Sequence, residues 1–99
     1  SGTLADDAAD TVGTMTAGTV GQFRISAGAE SATISFKTAG TPTLYSVGAT
    51  SNVNVTTGSL AGTTGVDGKL TLSIDTNRVV YVENRLAATA SIVIDFSGG

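Results

Sequence analysis

Between Gln22 and Phe96, apolar side chains recur at every second position with threonine, serine or a charge between them. That period sends alternate side chains to opposite faces of an extended strand. Phe23 and Ile25 form the first such stripe, and Ala32, Ile34 and Phe36 repeat it with Thr33, Ser35 and Lys37 turned outward. A turn carrying Gly28 separates the two, which predicts a hairpin. Thr43 to Val47 follows Pro42, the one proline, whose fixed φ and missing N–H suit the start of a strand. Asn52 to Thr57 alternates through Val53 and Val55, and Leu70, Leu72 and Ile74 alternate with Lys69, Thr71, Ser73 and Asp75. The intervening loop, Gly58 to Gly68, is rich in Gly, Thr and Ser and ends in Asp67-Gly68, a pair suited to a tight hairpin turn.

The pattern is different from Arg78 to Asn84, where Val79, Val80, Tyr81 and Val82 form a continuous apolar run. A strand of that kind is expected to be covered on both faces, by lying centrally or by meeting another subunit. After a turn at Arg85 to Thr89, the last strand runs from Ala90 to Phe96 with Ile92, Ile94 and Phe96 inward, leaving Val93 as an outward candidate contact. Roughly seven to eight short strands with no helical periodicity predict an all-β fold, an antiparallel two-sheet β-sandwich of jelly-roll or immunoglobulin-like type.

The first eighteen residues lack this regularity. Leu4, Val12 and Met15 are the sole large apolar residues there, among Ala, Thr, Gly and the acids Asp6, Asp7 and Asp10. Such a stretch buries too little apolar area to offset its own ordering entropy. Residues 1–18 are therefore expected to be an extended N-terminal arm ordered by contact with a partner, and residues 19–99 the β-sandwich domain. The acids spell D-D-x-x-D, a spacing that binds magnesium and diphosphate when a helix presents it, but no helix is expected here and hard cations need several convergent oxygens. A solvated acidic arm, meeting a cation or a partner's basic patch, is the favoured interpretation.

Composition narrows the chemistry. Only 13% of the 99 residues are charged, against about 25% in a typical soluble domain. With neither histidine nor cysteine, the Ser-His-Asp and Cys-His arrangements are impossible, the usual zinc sites cannot form and no disulfide exists. Catalysis would fall to Glu30, Asp67, Asp75, Glu83 and Asp95, facing in pairs across a cleft. Asp67 and Asp75 occupy turn positions and Asp95 an outward strand position, so no enzymatic activity and no cofactor are expected. The net charge is −3, and Arg24, Lys37, Lys69, Arg78 and Arg85 are scattered, which disfavours nucleic-acid binding. No apolar run approaches the roughly 20 residues of a membrane helix, and no signal peptide is apparent.

Three further patterns point weakly or not at all to a chemistry. Asn54-Val55-Thr56 matches a glycosylation acceptor, which has meaning only in a eukaryotic secretory route. Without tryptophan, and with only Tyr45 and Tyr81 as tyrosines, a sugar-stacking surface has little to work with. An intramolecular Lys–Asn cross-link beside a buried acid would need Lys37 or Lys69 to reach Asn84 and Glu83, yet both lysines read as outward-facing.

The segment Asp67-Gly68-Lys69-Leu70-Thr71-Leu72, followed by Val79-Val80-Tyr81-Val82-Glu83-Asn84-Arg85 and a closing strand, resembles the terminal β-hairpin of small virion proteins of tailed bacteriophages, including capsid decoration proteins and tail-fibre domains. The resemblance covers about a third of the chain. It implies a structural virion protein at the particle surface, a capsid decoration or cement protein that binds the major capsid protein or another virion protein, commonly as a homo-oligomeric trimer. The alternatives are a β-sandwich domain of a bacterial adhesin or surface repeat protein at the cell surface, and a phage tail or fibre component that binds glycans. Leu4, Asp6, Asp7, Asp10, Val80, Val82 and Val93 are the expected interface residues.

Overall fold

The computed structural model of the chain describes residues 2–98. Nine strands and no helix make up the described residues: β1 (Gly2–Leu4), β2 (Ala8–Thr14), β3 (Val20–Ala27), β4 (Glu30–Lys37), β5 (Thr43–Ala49), β6 (Val53–Thr57), β7 (Leu70–Ile74), β8 (Val79–Asn84) and β9 (Ala90–Gly98). They form two sheets, a first of order β1-β9-β3-β4-β5 and a second of order β2-β8-β7-β6. The alternation read from the sequence decides which side chains lie between them. Phe23, Ile25, Ile34 and Phe36 of the first sheet meet Leu70, Leu72, Ile74, Val80 and Val82 of the second in one core. The fold is an all-β sandwich.

The hairpin predicted around Gly28 is present, with β3 and β4 antiparallel in unbroken register from Val20–Lys37 to Ala27–Glu30. Gly28 has φ +60°, the left-handed region that glycine enters without a Cβ penalty. Asp67-Gly68 also makes a turn with Gly68 at φ +84°, but it closes no hairpin. β6 and β7 run parallel, so residues 58–69 are a crossover that carries the chain back to start β7 beside the beginning of β6. The second sheet is consequently mixed rather than purely antiparallel.

The N-terminal residues also differ from expectation. β1 pairs with β9 and β2 with β8, so the stretch expected to be a free arm supplies the edge strand at one side of each sheet. Backbone pairing with ready-made neighbours supplies the order that its few apolar residues alone cannot. Those residues still contribute: Leu4 is buried in the core, and Ala8, Val12 and Met15 pack against it. Leu4, Val80 and Val82 are thus corrected from expected interface residues to core residues, with Val80 fully buried and Val82 3% exposed. Their partner is the opposite sheet of the same chain. β8 is central in its sheet, which accounts for its unbroken apolar run.

Candidate interface surface

The two sheets differ in how their outer faces are covered. Over the second sheet, the crossover folds back onto β7 and β8, burying Thr71 and Ser73, whose side chains the alternation had turned outward, together with Glu83. Glu83 organises this cover. Its Oε2 accepts hydrogen bonds from Gly62 N (2.8 Å) and Thr64 N (3.0 Å), and its Oε1 from Gly65 N (2.6 Å). A carboxylate is acceptor-only, so it can satisfy three converging N–H groups that an amide could not. Ser73 Oγ donates to the Gly58 carbonyl and Arg85 Nη1 to the Gly65 carbonyl at 2.9 Å. Gly65 passes so close that a Cβ there would lie 2.5 Å from Thr71 Oγ1 and 2.6 Å from Glu83 Oε1. The sequence did not mark Glu83 for this task, because the unbroken apolar run before it offers no alternation from which to place its side chain.

The acidic N-terminal residues are drawn into the same end of the molecule. Asp7 accepts from Arg85 Nε at 2.9 Å, and Asp6 Oδ1 from Ala87 N at 2.8 Å. Asp10 turns to its own neighbour, accepting from Thr11 N at 2.8 Å. The three do not converge, and no group of three or more metal-binding side chains exists among the described residues. Asn84, fully buried, donates to the carbonyls of Leu4 (2.9 Å) and Ala88 (2.8 Å) and accepts from Leu86 N (2.9 Å). Asn84 and Arg85 therefore pin both N-terminal strands to the turn before β9. The Arg85 guanidinium is held above its ordinary range, chiefly by its bond to Asp7, with burial opposing and Asp67 and Glu83 adding attraction.

Two of the remaining acids, Glu30 and Asp75, are likewise engaged by the chain itself, whereas Asp67 and Asp95 stand exposed. Glu30 accepts from Thr50 Oγ1 at 2.6 Å, the main cause of a carboxyl held below the ordinary glutamate value, with burial opposing and Asn52 assisting. Burial pushes the Asp75 carboxyl up, but bonds from Val79 N, the Tyr81 hydroxyl and Asn77 N outweigh it and hold the group below the ordinary value. The same bond to Asp75, with burial, raises the Tyr81 hydroxyl. Lys69 Nζ donates to the Ser51 carbonyl and Asn52 Oδ1, which directs it away from a cross-link to Asn84.

Among the described residues, nothing covers the first sheet in this way. Its outer face presents Gln22, Arg24, Ser26 and Ser31 to solvent, and Val93 stands among them opposite Ser26, 48% exposed. Of the exposed large apolar residues, Val20, Tyr45, Val47, Val93 and Phe96 belong to strands of this sheet, leaving only Val66 on the crossover. At the side where β1 and β9 face β2 across the sandwich, a cleft of about 190 Å³ opens between the sheets, with Leu4, Val12, Val82, Ile92, Ile94 and Phe96 as its apolar lining. Of the seven expected interface residues, Val93 and the three aspartates are at the surface, and they do not form one patch. Comparison of the chain with models of known families, with curated protein sequences and with solved structures finds no match.

Proposed function

We propose that this protein is a structural component of a phage particle, a decoration or cement protein that attaches to the major capsid protein through its first sheet. The observation that carries this reading is the asymmetry of the sandwich: one outer face is roofed by the chain's own crossover, while the other lacks such a roof among the described residues and carries the exposed apolar side chains of Val20, Tyr45 and Val93. A face of serine and threonine has little side-chain entropy to lose and few charges to desolvate on docking. The resemblance of residues 67–96 to phage virion hairpins supplies the choice of partner. Attachment falls to the open face around Val93 and to strand edges, since the N-terminal residues are engaged within the fold. The reading assigns no catalysis: the carboxylates of Glu30, Asp75 and Glu83 are occupied by hydrogen bonds from the chain itself.

The test is co-sedimentation with purified phage capsids that lack their decoration protein. Saturable binding at a fixed ratio to the capsid subunit, weakened by Val93→Lys, is the expected result. A folded protein that leaves such capsids bare at micromolar concentration overturns the proposal.

A further inference from the structure

Four strand edges border the two sheets, and three of them are blunted. β2 carries a bulge at Val12, where the register with β8 shifts between Thr11 and Gly13. β5 carries one at Val47, where the register with β4 shifts between Thr33 and Ile34. Both bulges are on the edge strand itself, a device that twists an edge out of reach of a neighbour. β6 is five residues long and mostly polar at its free positions. The fourth edge is different. β9 is the longest strand and pairs with β3 without interruption from Ile92 to Gly98, while β1 covers its other side only from Ala90 to Ile92. Beyond the Gly2–Ile92 pair, the edge of β9 is open among the described residues, and it borders the apolar cleft into which Ile94 and Phe96 face. Phe96 is 43% exposed although its ring lies 5.2 Å from that of the core residue Phe23.

We infer that this edge pairs with the same edge of a second copy, antiparallel about a two-fold axis at Phe96, joining two first sheets into one continuous sheet. The occupant and the register follow from the residues. An open, regular edge with apolar side chains at alternate positions accepts an extended strand of the same pattern. Two identical edges related by a two-fold are self-complementary if no like charges oppose each other. Centring the pair on Asp95 would set Asp95 against Asp95. Centring it on Phe96 sets Phe96 against Phe96, Ile94 against Gly98 and Asp95 against Ser97. This register keeps both inner faces on the same side, so that each copy's Phe96 closes the cleft of the other. A shift by one residue would turn one copy's apolar face to the other's solvent face.

This inference stands apart from the virion reading and specifies a two-fold where the phage resemblance implies a trimer. The chain has no cysteine, so single cysteines report on register cleanly. Light scattering is expected to give twice the 9.8 kDa chain mass, and Phe96→Lys, which places a charge at the centre of the pair, to halve it. Under mild oxidation Phe96→Cys is expected to cross-link to a covalent dimer, because directly opposite Cβ atoms lie about 5 Å apart, whereas Val93→Cys, far from the axis, is not. A monomer, a trimer, a dimer indifferent to Phe96→Lys, or equal cross-linking at both positions would each overturn the inference. Capsid binding by a protein that proves monomeric would sink the edge pairing and leave the virion proposal standing.

Discussion

Glu83 is fully buried and lies under a loop that its own carboxylate holds in place. Charge-assisted hydrogen bonds contribute about 1.5–3 kcal/mol each, and a buried donor left unpaired costs a further 1–3 kcal/mol. Glu83→Gln keeps the shape but turns an NH2 group toward at least one of the three N–H donors. A loss of about 3 kcal/mol is expected, equivalent to a fall of roughly 12–24 °C in melting temperature for a domain of this size. Thermal unfolding of the variant checks this, and a fall of only a degree or two would show that the loop holds itself. Asp75 gives a residue-scale prediction of a different kind. Because its folded-state carboxyl sits below the ordinary value of 3.8, the folded protein takes up this proton less readily than the unfolded chain. Its contribution is fully present above about pH 4 and disappears as pH falls through the folded value. Asp75→Asn should therefore lose less stability than wild type between about pH 4 and 2, measured as urea midpoints across that range. Parallel curves for the two proteins would contradict the assignment.

The elements most legible in the sequence are those in which chemistry and geometry share a period. β3, β4 and β7 each place their apolar residues on the core side as the alternation requires, and β8 announces its central position by its unbroken valines. β1 and β2 were not legible, because a strand that borrows its order from a neighbour's backbone needs few apolar residues of its own. The crossover misled for a related reason: Asp67-Gly68 supplies a turn, but local turn chemistry does not determine whether the next strand pairs with the last one in parallel or antiparallel. Within the expected interface set, burial of Leu4, Val80 and Val82 depended on which sheet would lie opposite, which is a property of topology. Outward Val93 depended only on period and was placed correctly. The junction of elements at Asn84 carries a prediction of its own. Asn84→Ala leaves the Leu4 and Ala88 carbonyls and the Leu86 N–H without their partner, at an expected cost of about 2–3 kcal/mol. The loss should be concentrated at β1, so hydrogen exchange should quicken most in residues 2–4 and 85–88, while β3 and β4 keep their protection. Uniform acceleration throughout both sheets would mean that Asn84 supports the whole sandwich rather than this corner.

At the scale of the molecule, the chain is stitched from its ends. β1 meets β9 and β2 meets β8, so residues 2–14 and 79–98 form the margin of both sheets at one side of the sandwich. These contacts close the largest loops in the chain, and loop closure must be completed before they repay it. The consequence separates this architecture from an arm attached to an independent domain. Were residues 1–18 an arm, a chain beginning at residue 19 would fold unaided and lose only its ability to dock. In the observed fold, that truncation removes Leu4 from the core and the packing of Ala8, Val12 and Met15 against it. It strips the free side of β8 of six paired residues and uncovers Val82. It also leaves the whole outer edge of β9 open and deprives Arg85 and Asn84 of their N-terminal partners. A small domain has only about 5–15 kcal/mol of stability to lose, and burying a side chain of leucine size contributes about 1.5–3 kcal/mol before any hydrogen bond is counted. The truncated chain is therefore expected to be unfolded or aggregated at 25 °C, eluting in the void volume on size exclusion. A synthetic peptide of residues 1–18, added in excess during refolding, is expected to rescue it by supplying β1 and β2 in trans. A truncated chain that stays soluble and melts cooperatively near the full-length temperature would return the N-terminal segment to the role of an arm.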